Sequence, residues 1–273
     1  MEIDFLLPLS IFTIVASSIF LYEKFEKKMR GILEGKKLGM REVVIMVLSM
    51  GIMVTLVAFI PGYAIRILFL FAYAYMLLVF AYIILGKWFL AIFPPTIFVV
   101  TYLLVRSIYV VSIFAAIFSI MVIIYLSPLF PWKITLAFAV LLTIMDVIQV
   151  FWTGYMIESA SKMIGLYLPV ALILPTYPSQ KLMTIGIGDI FLSGLLSIQT
   201  ALKYKRKFGL LSAAMISFTF FIFEFLILNL PLNIAGFPAT LIVLLGWFST
   251  IGFFHLRNEK FSQKVNRIRA EEK

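Results

Sequence analysis

The sequence contains no cysteine, one histidine and three aspartates in 273 residues. Without cysteine, disulfides, zinc–thiolate sites and thiol nucleophiles are all excluded. The single histidine, His255, rules out a histidine metal cluster and a Ser-His-Asp triad of the usual kind. Its place near the end of the last apolar run marks it as interfacial. Charge is scarce too: Asp, Glu, Lys and Arg make up 13% of the chain, where soluble domains carry about a quarter. Polar linkers, low-complexity tracts and internal repeats are missing, so residues 1–273 are expected to form a single domain.

What fills the chain instead is apolar. Hydrophobic residues account for 63% of it and the mean hydropathy is +1.09. This composition predicts an integral membrane protein. Helices satisfy their own backbone in lipid, and the alternating segments of about ten residues that a barrel needs are absent, so the fold class is all-α and polytopic. A bilayer core takes about 20 apolar residues per helix. Charges and Gly/Pro breaks then divide the chain into nine spans near 5–22, 43–60, 64–86, 88–105, 107–128, 132–153, 184–202, 208–229 and 236–256. The first run has no basic segment before it and no small-residue cleavage site after it, so it reads as a retained helix.

The net charge is +10, and its distribution predicts orientation. With nine spans, 19 of the 23 Lys and Arg fall on one side, in 23–42, at Lys87 and Lys133, in 203–207 and in the tail. Arg66, Arg106, Lys162 and Lys181 are left for the other. The positive-inside bias predicts an N-out, C-in protein of a prokaryotic cell membrane, with the anionic bilayer rather than nucleic acid as the partner of its basic loops.

Two of the three aspartates, Asp146 and Asp189, lie inside apolar spans. A carboxylate there costs about 2.5–3.5 kcal/mol on insertion scales, and its default interpretation is functional. Asp146 stands 13 residues beyond Lys133, and Asp189 stands 14 residues before Lys203. At 1.5 Å per residue both lie about 20 Å from the basic face, on antiparallel spans. Each also lies on a polar stripe, Thr143, Asp146, Gln149 and Thr153 on one helix and Asp189, Ser193 and Ser197 on the other. Such stripes predict faces turned toward a protein interior or a water-filled cavity. Gly186 and Gly188 remove side chains just ahead of Asp189, permitting close approach by a neighbouring helix or a substrate backbone.

Two carboxylates held close share a proton. The ionised member can take a proton from water while the protonated member polarises a peptide carbonyl. This chemistry needs no metal, cofactor, His or Cys. The tetrad Gly186-Ile187-Gly188-Asp189 resembles the GxGD motif of the intramembrane aspartyl proteases, the presenilin and signal peptide peptidase family. The resemblance implies a bundle of nine helices, with catalytic aspartates in the sixth and seventh, here Asp146 and Asp189. It also implies a Pro-Ala-Leu motif at the head of the ninth, where this chain has Pro238-Ala239-Thr240-Leu241. Pro238 and Ala239 would then shape the active site with Gly186 and Gly188. Two positions depart from the pattern: Met145 precedes Asp146 where the family carries Tyr, and Thr240 stands where it carries Leu. The orientation and the short 154–183 segment are similar to the signal peptide peptidase branch. They imply transmembrane or signal-peptide substrates for a prokaryotic, archaeal homologue.

Two other activities stay open at this stage. A proton-coupled transporter could use the aspartate pair as a relay, although the repeated halves common in transporters are not evident. A prepilin or preflagellin peptidase also carries GxGD, with fewer spans and aspartates nearer the cytoplasmic face. Glu224, about 26 Å from the basic face, is expected to be either a structural hydrogen-bond partner or a tuner of the aspartate pair. Pro169, Pro175 and Pro178 predict an irregular 154–183 segment, and Pro94-Pro95 a kink in the fourth span.

Overall fold

The computed structural model describes residues 2–33, 35–230 and 236–254. His255 and the basic tail, and with them the interfacial expectation for His255, lie outside the described residues. Among the described residues, six helices are long and apolar enough to cross a membrane, which makes this a polytopic membrane protein. They are α1 (Leu6–Ile32), α2 (Met40–Phe59), α3 (Gly62–Leu85), α6 (Ile108–Leu126, running on to Leu129), α7 (Trp132–Val147, running on to Thr153) and α10 (Arg206–Asn229).

The fourth apolar run is broken at Ile92 into α4 (Trp88–Ala91) and α5 (Phe93–Leu104). Pro94 and Pro95 fall in the first turn of α5, where a missing N–H costs no helical bond. Ile92 itself keeps a right-handed helical backbone, so the two pieces continue one apolar run, Trp88–Leu104, interrupted where the prolines lead one to expect a kink. The last two spans expected from the sequence correspond to α10 and to a shorter apolar helix, α11 (Ala239–Phe254).

Helix α9 (Ile187–Tyr204), which falls where the seventh span was expected, is the axis of the molecule. Every residue from Asp189 to Thr200 is buried, because α1, α6, α7 and α10 pack around it. This enclosure explains how α9 can carry Asp189, Gln199 and several hydroxyls: its polar atoms meet protein rather than lipid. Ser197 donates to Ser212 on α10 (3.1 Å), and Trp247 on α11 donates to Thr200 (2.9 Å). Gly246 lets α11 lie directly on α10, since a Cβ there would come within 2.5 Å of the Ile216 backbone.

Segment 154–183 departs from the irregular connector the prolines suggest. It forms an amphipathic helix, α8 (Tyr155–Gly165), and an antiparallel hairpin of β1 (Ala171–Pro175) and β2 (Leu182–Gly186). The physical reason is backbone satisfaction: loose chain at membrane depth would leave N–H and C=O groups unpaired. Lys162 on α8 donates to the carbonyls of Val57, Ala58 and Ile60 at 2.6–3.1 Å, capping the negative end of α2. The outer edge of β1 is closed by Ser112 of α6, which accepts from the Ile173 N–H (3.1 Å) and donates to its carbonyl (2.9 Å).

Contacts between loops gather the helix ends into two groups. At one end, Arg206 pairs with Glu23 (3.1 Å), Lys28 donates to Ile84 O, and Leu38 N–H donates to Leu129 O. At the other end, Ile3 bridges Tyr177 and Asn229 donates to Glu2 O. The basic segments 23–42 and 203–207 therefore share an end, opposite the hairpin tip.

Candidate active site

The regular part of α7 stops at Val147, one residue after Asp146, and continues as a π-helical turn over Ile148–Thr153. Such turns widen the backbone locally and are frequent at functional sites. Two packing features hold this stretch. Gln149 donates to Gly51 O on α2 (2.8 Å). Met145 covers Gly51 so closely that a Cβ on that glycine would fall 1.7 Å from the Met145 methyl. Met145 thus serves as the packing surface of α7 on α2.

Asp146 is buried, with 5% of its surface exposed. Its Oδ2 accepts from the Thr240 hydroxyl at 2.6 Å and lies 3.4 Å from the Thr240 backbone N–H. Its Oδ1 is buried with no hydrogen-bond partner among the described residues. Thr240 is the second residue of α11, so its N–H is one of the donors that a helix leaves free at its start. Pro238, buried just ahead of the helix, sets that start, and its carbonyl accepts from the Leu241 N–H.

Asp189 is buried to the same degree, at 6% exposure, and stands in the first turn of α9. Gly186 is the residue that caps the helix, and its backbone lies beside the Asp189 carboxylate. The GxGD tetrad thus carries the chain from β2 into α9 and sets Asp189 at the third helical position. A Cβ on Gly186 would come within 3.2 Å of Asp189 Oδ2, whereas one on Gly188 would meet nothing within 4 Å. Gly186 makes room for the carboxylate itself, and Gly188 lies on the open side of the turn.

The two aspartates share one site: α7 packs on α9, and Asp146 lies within electrostatic reach of the Asp189 carboxylate. Each lies against a helix N-terminus, Asp146 at α11 and Asp189 at α9. The partial positive charge there offsets part of the cost of burying a carboxylate. The polar stripes resolve as structural bonds in the protein interior. Thr143 donates to Ala139 O, Thr153 to Gln149 O, and Ser193 to Asp189 O.

Glu224 belongs elsewhere. It is buried on α10, and the charged group acting on it is Asp4, at the start of α1. Sequence reasoning missed two residues of the site, Thr240 and Gly51. A hydroxyl in the second position of a helix that follows a proline was the available signal for Thr240. Nothing in the sequence alone pairs Gly51 with Met145. Comparison with protein-family models, with curated proteins and with solved structures gives no match.

Proposed function

We propose that this chain is an intramembrane aspartic protease, related to the presenilin and signal peptide peptidase family, with Asp146 and Asp189 as its catalytic residues. The observation that carries the proposal is the meeting of two buried carboxylates, from adjacent helices, each at a helix N-terminus. In this reading nine helices span the membrane, N-out and C-in, in a prokaryotic cell. Its partners are the bilayer and a transmembrane or signal-peptide substrate.

The chemistry follows from a dyad that holds one proton. The ionised aspartate takes a proton from water as the water oxygen adds to the scissile carbonyl carbon. The protonated aspartate gives its proton to the carbonyl oxygen, forming a neutral gem-diol. On collapse the C–N bond breaks. The first aspartate returns its proton to the departing amine, and the second takes one from a diol hydroxyl. The dyad is then back in its starting state.

A helical substrate has its carbonyls bonded and shielded, so it must unwind before cleavage. The hairpin offers partners for an extended segment. Because Ile173 turns its N–H and carbonyl to Ser112, its neighbour Thr184 turns its own groups outward by antiparallel alternation. Among the described residues the sheet has two strands, so that edge of β2 carries no further strand there, and it leads straight into Gly186. A substrate strand added there would be delivered to the aspartates by backbone bonding, with little demand on sequence.

The test uses purified protein in detergent or vesicles, a transmembrane reporter peptide, and the Asp146→Asn and Asp189→Asn variants. Cleavage by the parent and none by either variant is the expected result. Cleavage surviving in either variant overturns the dyad. Proton-linked uptake into vesicles without cleavage, lost in the same variants, would identify a transporter instead.

A further inference from the structure

We propose that Thr240 is a positioning residue for Asp146, one that commits Oδ2 of that carboxylate and leaves Oδ1 as the oxygen that accepts the proton of water. The inference rests on the dyad proposed above and deepens it. Three observations carry it. The 2.6 Å separation of the Thr240 hydroxyl from Oδ2 lies in the range of a hydrogen bond to an ionised oxygen. Oδ1 of the same carboxylate is buried and has no partner among the described residues. Thr240 itself is 2% exposed, so no water competes for its hydroxyl.

The helix that presents Thr240 is rigidly held. Trp247 lies two turns further along α11, on the same face, and donates to Thr200 of α9 at 2.9 Å. Thr200 in turn donates to Leu196 O at 2.7 Å. Gly246 places α11 against the backbone of α10. With α11 seated on α9 and α10, the hydroxyl has a defined place relative to α7 and fixes the rotation of the Asp146 carboxylate. Leucine, which the resembled family carries at this position, could offer only its backbone N–H. In this chain the hydroxyl supplies a second and shorter bond to the same oxygen, so its removal should slow the reaction without abolishing it.

The experiment compares the parent chain with Thr240→Val, which keeps the shape and loses the donor, and Thr240→Ser, which keeps the donor. Thr240→Val is expected to lower kcat about tenfold or more with KM within about twofold. Thr240→Ser should restore kcat to within about threefold of the parent, with melting temperatures unchanged across the set. Parental kcat in Thr240→Val overturns the proposal. So does a parallel loss of activity and melting temperature in both variants, which would make the bond purely structural.

A second readout does not depend on cleavage. With only three aspartates in the chain, carboxyl-13C aspartate gives an infrared or NMR spectrum simple enough to assign through Asp146→Asn. The Asp146 signal should move in Thr240→Val and stay in place in Thr240→Ser. An unmoved signal overturns the positioning role even if the protein cleaves nothing. A moved signal without cleavage would sustain the contact and sink the protease reading alone.

Discussion

Asp146 and Asp189 are tolerated at membrane depth because neither faces lipid. Each lies at a helix start: Asp146 accepts from Thr240 at the head of α11, and Asp189 stands in the first turn of α9 beside Gly186. Glu224 is the useful contrast. It too is buried, with Oε2 unpartnered, but its charged neighbour is Asp4. Glu224→Gln is therefore expected to keep reporter cleavage within about twofold of the parent. Its melting temperature should stay close to the parent's, since the amide keeps the shape of the buried carboxyl. A loss of cleavage on the scale of the aspartate variants would instead tie Glu224 to the dyad. At this scale the sequence showed which carboxylates were anomalous and that two share a depth. It could not show that Glu224 stands with Asp4, because span counting measures height along a helix and not the direction in which a side chain points.

At the scale of elements, most helix boundaries were legible from charges and prolines, as α2, α3, α7 and α10 illustrate. The 154–183 segment was not. Three prolines suggested disorder of form, yet the demand that buried backbone be paired imposed α8 and the hairpin. That demand is non-local: it is met by Ser112 from α6 and by Ile3 from the N-terminus. The hairpin also yields a sharp prediction. Thr184→Pro removes an outward N–H and leaves the ladder to β1 intact, a position where proline is tolerated on an edge strand. It should fold yet cleave the reporter at least about tenfold more slowly if substrate adds to that edge. Met183→Pro, whose N–H points into the hairpin, should lower the melting temperature itself. Equal cleavage by Thr184→Pro and the parent would exclude edge addition.

For the whole molecule, the loop contacts place the basic segments 23–42 and 203–207 at one end and the hairpin tip at the other. In the proposed N-out, C-in orientation the first end faces the cytoplasm. Because the chain has no cysteine, single substitutions report this without background. Ser179→Cys should react with a membrane-impermeant maleimide on intact cells. Lys37→Cys should react only after permeabilisation. The reverse pattern would invert the orientation, and labelling of both in intact cells would break the odd number of spans between them.

By itself, the sequence determined that the chain is a multi-pass membrane protein, that its long apolar runs are helical, and that two carboxylates sit at matching heights along them. These properties follow from composition and from distances along single helices, and both are local. Tertiary structure decided what surrounds those carboxylates. Only packing makes α9 the enclosed axis, seats Met145 in the gap at Gly51, and brings Thr240 to Asp146 across 94 residues of chain. The hydroxyl that looked like a departure from a motif became a hydrogen bond because the direction of a side chain is set by neighbouring helices, and no one-dimensional pattern records it.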